Sequence, residues 1–166
     1  MSGDLLAVLA ILASVAAAMV GFSGLMTAFR SSSDDLMPND VSNVRILLIF
    51  SVGALGFALL PLPLWLVDDP DPWLAAMTLL LGAFLAVWLV QSPLWMRRRG
   101  LKPLKPALYW SMLVAQALLG ALIVGAVLTG HPPAPFYVAG VLWCLTTAIV
   151  VFVVQVFRML PVARPD

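Results

Sequence analysis

The side chains that most often carry chemistry are scarce in this chain, and they stand far apart. There is one histidine, His131, and one cysteine, Cys144. A lone histidine makes no His-ligated metal site, and a single cysteine excludes an internal disulfide and any cysteine-built zinc site. All eight acidic residues are aspartates, and none lies in the middle of an apolar stretch. A serine or cysteine becomes a nucleophile only with a base in reach, and the apolar stretches offer none. No catalytic residue, cofactor site or metal site is expected, and an enzyme is not the reading. Charged groups at a bilayer centre usually mark ion paths or proton relays. Their absence argues against a carboxylate-relay pump. It leaves room for a channel lined by hydroxyls, carbonyls and water.

The polar residues within the apolar stretches are modest ones. Gln91, Gln116 and Gln155, with Thr147, are the candidates for a polar pathway. The bland alternative is that these amides hydrogen-bond across helices and hold them together. Gln116 is the deepest of them.

These residues are positioned by elements that composition makes plain. Of 166 residues, 63% are hydrophobic and 10% charged, with a mean hydropathy of +1.05. A soluble domain carries about 25% charged residues. A membrane span needs roughly 17–25 apolar residues, and the stretches 5–29, 44–67, 73–96, 107–129 and 137–160 meet that length. The expected fold is all-α: a polytopic membrane protein, one transmembrane domain over 1–166, a bundle of five helices. Met1–Asp4 has no basic residue and the following apolar run is long, so this segment reads as a retained helix rather than a secretion signal.

Charge supports the count. With alternating spans, all nine basic residues fall on one side, including Arg30, Arg45, Arg158 and Arg164, while Asp4, Asp68, Asp69 and Asp71 fall on the other. The basic side is expected in the cytoplasm, so the N-terminus lies outside and the C-terminus inside. Arg97, Arg98, Arg99, Lys102 and Lys105 form a run that suits anionic lipid headgroups. So short a loop beside a membrane does not suggest nucleic-acid binding.

The first helix carries the most specific pattern. Ala7, Ala10, Ser14, Ala17, Gly21, Gly24 and Ala28 recur at spacings of three and four. A stripe of small side chains lets two helices approach closely. It reads either as a packing face within the chain or as a seam between subunits. Ala117, Ala121, Gly125 and Thr129 make a shorter version in the fourth helix. Pro61 and Pro63 should kink or unwind the second helix and free carbonyls that need partners. Pro93 should end or bend the third. Asp40 or Ser42 is placed to cap the second helix, and Asp40 to pair with Arg45.

The stretch Gly21-Phe22-Ser23-Gly24-Leu25, then Ala28-Phe29-Arg30, Asp40, Arg45 and Ala58-Leu59-Leu60-Pro61-Leu62, resembles a widespread group of small bacterial membrane proteins without assigned function. The resemblance covers the first two helices and implies a bacterial inner-membrane location but no activity. Two function classes are then expected. One is a small homo-oligomeric channel or transport protein. The other is a structural or accessory subunit that binds a larger membrane partner through a small-residue face.

Overall fold

Backbone polar groups inside lipid must be satisfied within the segment that carries them, and the apolar stretches achieve this as helices. The computed structural model describes residues 3–31, 38–63, 71–98, 100 and 106–159. The elements are α1 Gly3–Ser31, α2 Pro38–Leu59, α3 Asp71–Arg98, α4 Pro106–Leu128 and α5 Pro133–Met159. Prolines mark most of the starts. Pro38, Pro72, Pro106 and Pro133 lie in first turns, where a missing N–H leaves no helical bond unmade. Glycine closes α4: Gly130 takes φ 70°, its N–H reaches the Val127 carbonyl at 3.2 Å, and His131 N–H reaches the Ala126 carbonyl at 3.0 Å. These are the paired bonds of a Schellman end, which favours glycine for its positive φ.

Four of the five helices are long and apolar enough to cross a membrane. The second ends before its prolines, where unwinding was one of the two outcomes expected. Its apolar part runs over Val44–Leu59, and residues 64–67 of the expected span lie outside the described residues. Pro61 has no N–H to give the Phe57 carbonyl, so the helical ladder closes with Leu60 N–H on the Gly56 carbonyl at 2.8 Å. Pro93, by contrast, does not end α3, which runs on to Arg98. The proposed caps Asp40 and Ser42 sit inside α2, which begins earlier, at Pro38; their side chains, and any pair of Asp40 with Arg45, lie outside the described residues.

The helix α5 packs against each of the other four, with α1 and α2 as one close pair and α3 and α4 as another. Its buried stripe is Tyr137, Val141, Cys144, Ala148 and Gln155, a spacing close to the 3.5-residue repeat of helices that pack lengthwise. Gly140 lets α5 approach two neighbours at once. A Cβ there would lie 2.5 Å from Leu81 Cδ2 on α3 and 3.3 Å from Ile123 Cδ1 on α4. α2 and α3 meet through rings instead: Phe50 lies 6.0 Å from Phe84 and 5.4 Å from Trp88, both edge-on, the geometry aromatic quadrupoles favour.

Helices consecutive along the chain run in opposite directions, so α1, α3 and α5 start at the same end. Arg45, early in α2, lies 5.6 Å over the ring of Trp95, late in α3. At the other end Leu5, Asp71, Val127 and Ala134 surround one hollow. One end of the bundle therefore carries Arg45, Arg97 and Arg98, and the opposite end carries Asp71 and His131. The charged side chains of Asp4, Arg45, Asp71, Arg97 and Arg98 are exposed. So are Ile11, Leu118 and Leu122, each more than 60% exposed on the outer surface. Apolar surface on that scale suits lipid and not water.

The close approach at Gly140 yields a stability test. Gly140→Ala should lower stability by about 1–3 kcal/mol through overpacking against fully buried Leu81. Gly130→Ala should lower it by about 1–2 kcal/mol through the left-handed φ alone. Thermal unfolding in a mild detergent reads both, and an unchanged midpoint for Gly140→Ala would mean that Leu81 turns aside without cost.

Candidate functional site

The small-residue stripe of α1 is on the outside of the bundle. Ala7, Ala10, Ser14, Ala17, Gly21, Gly24 and Ala28 are all exposed. The inward face is instead built from Leu9, Leu12, Ala16, Met19 and Ser23. Each of these stands two residues after a stripe member, which is about 200° around a helix of 3.6 residues per turn. The two stripes thus share one spacing and lie back to back. The inward one carries the volume that fills the space against α2 and α5. Within one copy of the chain the small-residue stripe is thus turned away from α2 and α5.

The outward stripe is open. A Cβ added at Gly21 or Gly24 would meet nothing within 4 Å. The glycines that permit contacts inside the protomer are others: Gly140, Gly82 against Ile123 at 3.2 Å, and Gly53 against the Phe84 ring at 3.0 Å. Ser14, the hydroxyl on the stripe, donates to the Ala10 carbonyl of its own helix at 2.9 Å. Phe22 borders the stripe and packs on Phe152 of α5, centroids 5.9 Å apart. The shorter series on α4, Ala117, Ala121, Gly125 and Thr129, is exposed as well. It is flanked by exposed Leu118 and Leu122, as the α1 stripe is by exposed Val8, Ile11, Val15, Phe22 and Leu25, and it is the shorter of the two.

The residues of the expected polar pathway lie in different surroundings within one copy of the chain. Gln116 is 4% exposed and gives its amide N–H to the Leu85 carbonyl at 2.7 Å, tying α4 to α3. Gln155 and Thr147 are buried on α5. Gln91 is exposed on α3, so the amides do not line one buried route. Of the headgroup run, Arg97 and Arg98 are exposed at the end of α3; Arg99, Lys102 and Lys105 lie outside the described residues. Among the described residues no group of three or more His, Cys, Asp or Glu is arranged to hold a metal ion.

Sequence reasoning missed the role of Tyr137. It is fully buried, and its hydroxyl donates to the Phe57 carbonyl. That carbonyl stands four residues before Pro61 and is the acceptor that the missing N–H leaves open. The signal was half visible: Pro61 demands a donor for Phe57, but nothing in the order of residues names α5 as its source. The buried hydroxyls of Ser51 and of Thr147, the latter one of the expected polar residues, have no hydrogen-bond partner among the described residues. In comparisons with known proteins, no family model, curated protein or solved structure matches the chain.

The bond between Tyr137 and Phe57 is testable with its cause. Tyr137→Phe should cost about 1 kcal/mol, the size of an interhelical hydrogen bond in a membrane. Pro61→Ala supplies a local N–H, so the same change in that background should cost much less. A double-mutant cycle in detergent measures the coupling, and strictly additive effects would show that Tyr137 does not stand in for the proline.

Proposed function

We propose that this chain is a multi-pass membrane protein whose role is assembly, docking α1 against α1 of a second copy along Ala7, Ala10, Ser14, Ala17, Gly21, Gly24 and Ala28. The observation that carries this reading is the outward placement of the seven-residue small stripe, with open space above both glycines. A lipid-facing helix has no use for such a face, since bulky aliphatic side chains suit acyl chains equally well. Close helix contact does, because van der Waals packing drives association where the hydrophobic effect between helices is absent. Matching faces on identical copies fit closed two-fold symmetry. In this reading all five helices cross the membrane, α2 being the shortest, in a bacterial inner membrane. The end carrying Arg45, Arg97 and Arg98 faces the cytoplasm, as the distribution of Lys and Arg favours.

The face also supports a structural role over a conducting one. Ser14, its hydroxyl, is bonded within its own helix, so the seam offers little to a hydrated ion. The channel reading keeps one observation in its favour, the unpartnered buried hydroxyls of Ser51 and Thr147 on adjacent helices. Water along α2 and α5 would satisfy them. Solute flux in liposomes that Thr147→Val abolishes would favour that second reading.

Assembly is read by subunit counting in nanodiscs. The paired change Gly21→Leu and Gly24→Leu should raise the dissociation constant of the oligomer about tenfold or more. The unfolding midpoint of the protomer should hold, because the added side chains enter open space. Undiminished association would move the contact off α1.

A further inference from the structure

The end of the bundle that carries the arginines holds a cleft that self-association does not use. The backbones of α2 and α3 are not in close contact; rings of Phe50, Phe84 and Trp88 fill the space between them. Beyond those rings the gap opens into a cleft of about 30 Å³, whose lining includes Arg45, Ile46, Trp88, Gln91, Ser92 and Trp95. That volume holds one small polar group and not a whole metabolite.

The chemistry of the cleft is a cation and an amide on an aromatic wall. The Arg45 guanidinium lies 5.6 Å over the Trp95 ring. The ring face attracts the cation electrostatically, and a guanidinium brings several N–H donors that suit a ligand oxygen. Gln91 is exposed and stands four residues before Trp95, on the same face of α3. On the far wall the Ser92 and Tyr109 hydroxyls are bonded to each other at 3.1 Å, joining α3 to α4 and keeping that side rigid. Arg97 and Arg98, exposed one turn further on, add positive potential. A guanidinium edge beside an amide donor suits a tetrahedral oxyanion.

Height along the bundle narrows the source of that anion. Arg45 directly follows Val44, where the apolar part of α2 begins, so its charge sits where hydrocarbon gives way to headgroups. Away from that end the wall continues as Ile46, Trp88 and Phe50, all apolar. A ligand with phosphate at that height and hydrocarbon beneath it is a phospholipid. We propose that the cleft of Arg45, Gln91 and Trp95 binds the phosphate of an anionic phospholipid, whose acyl chains lie along the joint of α2 and α3. The site requires the bundle to lie in a bilayer and does not depend on self-association.

The test uses the full chain in nanodiscs of phosphatidylcholine with a minor share of phosphatidylglycerol, the bromines placed on the acyl chains of one lipid or the other. Bromine quenches the indoles of Trp88 and Trp95. Brominated phosphatidylglycerol should quench more strongly than brominated phosphatidylcholine at equal mole fraction. Arg45→Gln should reduce that preference about fivefold, the share of one basic residue at an anionic surface. Gln91→Leu should reduce it less, and Arg45→Lys should restore only part of it, since an ammonium keeps charge without the planar guanidinium donors. Arg45 and Gln91 are both exposed, and unchanged helical circular dichroism confirms that their variants fold. A preference that survives Arg45→Gln but disappears with Arg97→Gln and Arg98→Gln would overturn the site in favour of a diffuse surface field. Release of quenching by millimolar inorganic phosphate would overturn the lipid assignment, because the cleft would then serve a free anion.

Discussion

Hydrocarbon gives no hydrogen bonds, so each backbone group of a buried span needs a partner supplied by the protein itself. A helix meets that demand at every residue except where proline removes a donor. At Pro61 the chain responds in two ways. α2 ends at Leu59, and the stranded Phe57 carbonyl takes the hydroxyl of Tyr137 from α5. One missing N–H thereby connects the end of the second helix to the start of the last. It also accounts for a tyrosine that is wholly buried rather than held at the interface.

The central position of α5 follows from what its side chains permit. Gly140 admits Leu81 and Ile123 together, and Val141, Cys144 and Ala148 continue a narrow inward stripe. Small and mid-sized residues on one helix allow the larger side chains of four neighbours to converge on it. Interhelical ties then come from side chains that reach carbonyls: Tyr137 to Phe57, Gln116 to Leu85. A carbonyl already in a helical ladder has a second lone pair, so Gln116 joins two helices without breaking either.

What remains available for recognition lies on the outside and at the ends. α1 offers van der Waals complementarity without charge. The cleft of Arg45 and Trp95 offers charge and aromatic surface at the height of lipid headgroups. The two features sit on different helices and depend on different physics, one on close backbone approach and the other on the guanidinium's charge and donors.

Much of the architecture was legible before any coordinates. Long apolar runs separated by charged or proline-rich breaks determine an all-helical protein suited to a membrane, because such segments admit few other structures in lipid. The helix ends were read less well: α2 and α5 begin earlier, at Pro38 and Pro133, than the apolar stretches from 44 and 137, because a proline opens a helix through its fixed φ and missing N–H and not through hydropathy. The direction in which α1 faces was not legible. Two stripes with identical spacing lie on opposite sides of that helix, and only the packing of Leu9, Leu12 and Met19 against α2 and α5 decided which turned inward. The partner of Phe57, the dispersal of the three glutamines and the placing of Arg45 over Trp95 were likewise decided by tertiary structure. Each joins residues that are neighbours in space and distant along the chain, and periodicity carries no record of that distance.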